Sequence, residues 1–93
     1  MSHAVRIRLF AAARELAGTD TIVVQPPGPR PGLAVADQRW SAEEWIGAVA
    51  DQYPQLKDLL PMCRLAVDRR YVDGGHRIDT DQEIALIPPV SGG

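Results

Sequence analysis

The segment PPGPRPG, residues 26–32, constrains this chain more than any other stretch. Proline fixes φ and removes a backbone donor, so four prolines and two glycines in seven positions exclude both a helix and a central strand. Regular structure must therefore come from the flanking sequence. Residues 26–39 are read as a surface loop in which Leu33 and Val35 give some footing, a tolerated extension rather than a functional insertion.

Ahead of the break, Val5, Ile7 and Leu9 alternate with Arg6 and Arg8, the period of a half-buried strand over residues 4–10. AAARELAG is rich in helix formers and closes on Gly18, which predicts one or two helical turns. TDTIVVQ is β-branched and reads as a second strand, antiparallel to the first. Beyond the break, Ser41 and Glu44 have the spacing of a capping box, and Trp40 and Trp45 that of a hydrophobic staple. Ile46, Val49, Ala50 and Tyr53 continue an apolar helical face until Pro54 stops it. QLKDLLP is a short turn. In CRLAVDRRYVD, Leu65 and Val67 share one face of a third strand, and DRR turns the chain into YVD. GGHRIDTDQ reads as loop, and EIALI as a last strand running into Pro88 and Pro89. The order predicts an α+β fold, one sheet covered by one main helix.

Ninety-three residues make one domain, able to bury a modest core. No apolar run reaches bilayer-spanning length, so a membrane protein is not expected. Cys63 is the one cysteine, which excludes an internal disulfide and fits a reducing compartment. The Arg-bearing N-terminus has strand periodicity and contains Glu15, so it is read as part of the fold rather than a transit peptide, and a cytoplasmic location is expected. Charge is uneven. Residues 1–40 carry five Arg against three acids, and residues 41–93 carry five bases against nine acids. No basic stripe with interleaved aromatics appears in the sequence, so nucleic acid is not an expected partner. The acidic half reads as a solvated surface.

Internal chemistry is hard to assemble. His3 and His76 have no Cys, Asp or Glu at zinc-binding intervals, so no metal site is expected. Asp79 and Asp81 lie in a turn, where Asx-type bonding accounts for them. Gly74-Gly75 lacks the lysine and the spacing of a phosphate loop. Cys63 has no adjacent histidine and reads as core. With no nucleophile, base and oxyanion site in combination, the chain is expected not to catalyse a reaction alone.

The last stretch, IPPVSGG, offers chemistry of another kind. Pro88 and Pro89 favour an extended conformation and project the remaining residues away from the last strand. The six residues 88–93 span about 20 Å when extended. Gly92 and Gly93 have no side chains, so this end fits a narrow channel and delivers the Gly93 α-carboxylate into a partner's active site.

VRIRLFAAARELAG, LAVDRRYVD and EIALIPPVSGG together resemble the small subunits of molybdopterin synthase, a branch of the ubiquitin-like β-grasp sulfur carriers. The resemblance covers nearly the whole chain except residues 26–39, and the tail lies closer to this branch than to the thiamine-pathway relatives. It implies a β-grasp domain over residues 1–87, with one mixed sheet under one main helix and a flexible, protruding tail over 88–93. It also implies that Gly93 is adenylated by a ubiquitin-activating-type partner that uses ATP, then converted to a thiocarboxylate by a sulfur donor protein. The tail then enters a large catalytic subunit, where the sulfur passes to a pterin precursor in molybdenum cofactor biosynthesis. No cofactor is bound by this chain itself. Gly92 is the slender approach, and Ser91, Val90, Pro89 and Pro88 are docking residues. Phe10 and Ile87 are further candidates for partner contact, with Phe10 either exposed on the strand or turned into the core. The DRR turn departs from the Asn-Gly-like turn frequent among such proteins, and the Pro-rich insertion is longer than expected. A carrier for a thiamine-type or cysteine-type pathway, a ubiquitin-like protein modifier and a plain interaction domain are the competing readings.

Overall fold

Alternation in the first strand is preserved in three dimensions. Val5, Ile7 and Leu9 are buried in β1 (Val5–Leu9), while Arg6 and Arg8 face outward. The computed structural model describes residues 4–27 and 39–88; the predicted loop footing at Leu33 and Val35 lies outside them. β1 is followed by helix α1 (Ala11–Ala17), closed by Gly18 in the left-handed conformation with its N–H on the Arg14 carbonyl, as the helix-then-glycine pattern predicts. β2 (Thr21–Val24) returns antiparallel to β1.

The main helix α2 (Ala42–Gln52) has the predicted cap. Ser41 Oγ accepts from Glu44 N at 3.2 Å, and Ser41 N donates to Glu44 Oε1 at 2.9 Å. Trp40 and Trp45 meet edge to face with ring centroids 5.9 Å apart, so the staple also places the largest core side chain. Ala42, Trp45, Ala48 and Val49 form the buried stripe, with Ile46, Ala50 and Tyr53 partly buried beside it. The residues after Pro54, predicted as a simple turn, form two 3-10 turns, Pro54–Leu56 and Leu60–Met62, because Leu56 and Leu60 both reach the core.

β4 (Arg64–Val67), β5 (Arg70–Tyr71) and β7 (Ile84–Ile87) complete a five-stranded mixed sheet in the order β2-β1-β7-β4-β5. β7 sits at its centre, parallel to β1 and antiparallel to β4. The segment read as loop at residues 74–82 contains one short strand, β6 (Arg77–Ile78), paired with β3 (Trp40–Ser41). Two residues carry too little periodicity to announce a strand, and burial of Ile78 is what fixes this one.

The outer edge of β2 is stitched by side chains. Gln25 N donates to Gln52 Oε1 at 2.8 Å, Gln52 Nε2 donates to Gln25 O at 2.9 Å, and Tyr53 OH donates to Val23 O at 2.9 Å. The end of α2 thus holds the strand that leads into the Pro-rich segment.

Candidate functional site

The site begins where β7 ends. Ile84 and Leu86 are fully buried on the helix side, while Ala85 and Ile87 are half-buried on the other face. Ladders on both sides fix the strand, with Ile7, Arg8 and Leu9 opposite Ile84, Ala85 and Leu86, and Arg64 opposite Ile87. Pro88 is buried, so its ring contributes to fixing the chain at the strand's end. Pro89, Val90, Ser91, Gly92 and Gly93 lie outside the described residues.

Alternation leaves the sheet face opposite α2 uncovered by any element among the described residues. A groove of about 380 Å³ opens there, floored by Ala66, Ala85 and Ile87 and walled by Phe10 and Tyr71. The strand stops at Leu9, before Phe10, yet the ring does not turn into the core: Phe10 stays 39% exposed. Since Leu9 stands opposite Leu86, the parallel register brings Phe10 and Ile87 to the same groove. Ala66, Ala85 and Tyr71 escaped the sequence reading. The signal for the two alanines was a small residue on the outward face of each of two strands, which leaves a hollow rather than a ridge; nothing local marked Tyr71.

Two guanidinium groups lie over aromatic rings here. Arg64 sits 4.5 Å from the Tyr71 ring centroid and Arg8 sits 5.7 Å from that of Phe10. Arg8 also approaches Glu83 at 3.9 Å, a loose pair between exposed groups. The DRR turn borders the groove through Arg69. Asp68 and Arg69 both take positive φ, 50° and 69°, so the hairpin has the type I′ twist without a glycine or asparagine. Asp68 is held there by Glu83 N on Oδ1 and Gln82 Nε2 on Oδ2, both at 3.0 Å.

The remaining sequence candidates have structural roles. Ala42 N donates to His76 O at 2.8 Å and Glu43 N to Gly74 O at 2.9 Å, so the GGH segment caps α2 with its own carbonyls. Asp79 pairs with Arg39 at 3.5 Å and closes a turn with Gln82. Burial pushes the Cys63 thiol above its ordinary pKa, and Sγ donates to Leu59 O at 3.3 Å, which opposes nucleophile formation. Among the described residues, no cluster of His, Cys, Asp and Glu has the makings of a metal site, and no helix is long and apolar enough to cross a membrane.

A five-stranded mixed sheet with β7 at its centre, packed on the main helix α2, is the ubiquitin-like β-grasp fold. Solved structures agree. SAMP1 of Haloferax volcanii aligns at TM-score 0.71 and 22% identity over 97% of this chain and 99% of its own. A chain from the protein-protein complex of subunit 1 and 2 of Molybdopterin-converting factor from Helicobacter pylori aligns at TM-score 0.59 and 20% identity over 97% and 99%. The chain belongs to the ThiS family, whose defining pattern matches residues 7–93. It is similar to the molybdopterin synthase sulfur carrier subunit of Dictyostelium discoideum, 36% identical over 95 residues with 100% of both chains covered. The subunit of that name from Caenorhabditis briggsae is 33% identical, with 96% of both covered.

Proposed function

We propose that this chain is the sulfur-carrier small subunit of a molybdopterin synthase. The observation that carries the reading is full-length similarity, 36% and 33%, to two proteins named as that subunit, with the match extending through Gly93. The geometry is in keeping with it. A strand fixed on both sides runs to a buried Pro88, and beside it an open groove is lined by Phe10 and Ile87.

Gly93 is the reacting residue. A carboxylate resists nucleophilic attack because attack adds charge to an anion, so an adenylating partner first joins the Gly93 carboxylate oxygen to the α-phosphorus of ATP and releases pyrophosphate. The persulfide of a sulfur donor protein attacks the acyl-adenylate and expels AMP, and a second thiol then takes the donor's sulfur as a disulfide and frees the thiocarboxylate on Gly93. Its ionised sulfur attacks a carbon of the pterin precursor inside the large subunit and displaces an oxygen leaving group. Hydrolysis of the resulting acyl link leaves the sulfur on the pterin and returns the Gly93 carboxylate. Gly92 passes the channel, Pro89, Val90 and Ser91 line the docked tail, and Phe10 and Ile87 meet the partner's surface. The large subunit supplies the catalytic side chains, this chain binds no cofactor of its own, and the cycle runs in the cytoplasm.

Intact mass measurement of the chain isolated from its own cells tests the reading. An oxygen-to-sulfur gain confined to Gly93 is expected. Higher-mass conjugates through a lysine isopeptide bond replace the carrier with a protein modifier. Full synthase activity in a chain with one residue added after Gly93 would overturn both.

A further inference from the structure

Charge on the open face runs against the charge of the whole molecule. The chain carries −2, yet Arg6 and Arg8 from β1, Arg64 from β4 and Arg69 from the tight turn all belong to this face or its rim. Against these four arginines stand two carboxylates, Glu83, loosely held by Arg8, and Asp81, which lines the adjoining hollow with Arg6 and Arg8. Between the cations lies an apolar floor. We propose that this face docks an acidic protein surface carrying a protruding apolar side chain, the carboxylates meeting the arginine rim and the apolar group entering between Phe10 and Tyr71.

This deepens the docking part of the function proposed above by naming the partner's chemistry. Stacking over a ring leaves a guanidinium's N–H donors for a carboxylate, which suits Arg64, 4.5 Å from the Tyr71 centroid, to receive an anion, whereas Arg8 over Phe10 already has Glu83 at 3.9 Å. The same stacking argues against single-stranded nucleic acid, which needs free ring faces for its bases. The sequence alone concealed the patch, because its arginines come from both sides of the Pro-rich break and only the sheet register gathers them.

The test has two arms on the full chain. In the first, amide resonances are followed while a synthetic peptide, four glutamates around one central leucine, is added at low salt. Shifts confined to Phe10, Ala66, Tyr71, Ala85 and Ile87, and absent with the four-lysine counterpart, are expected. Equal shifts with both peptides, or larger shifts with an oligothymidylate octamer, overturn the proposal, and this arm does not depend on the carrier function. In the second, affinity for the large synthase subunit is measured at 50 and 300 mM NaCl. About a tenfold loss is expected from salt and from each of Arg64→Glu and Arg69→Glu, since rim charges act through steering and salt-sensitive attraction. Both substitutions are at exposed positions, and an unchanged melting temperature confirms folding. Wild-type binding that ignores salt and both reversals overturns the acidic-partner claim while leaving the carrier function intact. Absence of wild-type binding alongside a positive peptide arm instead supports the face and overturns the assignment to molybdopterin synthase.

Discussion

Phe10 and Ile87 stand in one groove although they come from opposite ends of the chain, because β1 and β7 run parallel with Leu9 opposite Leu86. On the function proposed above, this aromatic, half-open to solvent beside Ile87, is a contact for the large subunit. Truncation by Phe10→Ala is expected to weaken association with the large subunit by tenfold or more, the range of an aromatic anchor. With the ring 39% exposed, the melting temperature should hold nearly constant. Calorimetric titration and thermal unfolding of the same sample separate the two effects.

Ser41→Ala removes the hydroxyl that accepts from Glu44 N and strands that donor at the start of the helix covering the sheet. A loss of about 1 kcal/mol is expected. In a domain of this size that corresponds to roughly 4–8 °C in Tm. Ser41→Asp should recover most of it, as read by denaturant or thermal melts.

Arg69 occupies the left-handed region at φ 69° in a two-residue hairpin turn. Glycine takes that conformation without a Cβ penalty, so Arg69→Gly should stabilise the fold by about 0.5–1 kcal/mol. Chemical denaturation reads this directly. A lower midpoint would mean that Arg69 makes a compensating interaction in the folded state.

Burial raises the Cys63 pKa, so the thiol stays neutral at physiological pH. Labelling by a disulfide reagent should be slow near neutrality and accelerate only well above the pH at which an unfolded cysteine ionises. The linkage has a definite sign. The folded state keeps its proton where the unfolded state has lost it, so this group's contribution to stability is complete below the unfolded pKa and declines as pH rises through the folded value. Cys63→Ser should flatten that decline, as followed by Tm across alkaline pH.

Strong periodicity and end signals made much of the fold legible. Alternation gave β1, β-branching gave β2, and Ser41 with Glu44 gave the start of α2 to the residue. What stayed hidden depends on contacts distant in sequence. β6 exists because Ile78 pairs opposite Trp40, and the groove exists because Ala66 and Ala85 stand opposite each other. The basic face was equally invisible, since no window of sequence holds Arg8 and Arg64 together. For the tail, composition told of slimness and reach, while the register of β7 accounts for its firm footing.

That footing has a mechanical consequence. Hydrogen bonds cross β7 from both sides, perpendicular to the strand from antiparallel β4 and slanted from parallel β1. Tension applied beyond Pro88 loads both ladders in shear, and their bonds must give way together; an edge strand pulled sideways would peel one bond at a time. A pull on the end of β7 is therefore borne by the whole sheet rather than by one bond at a time.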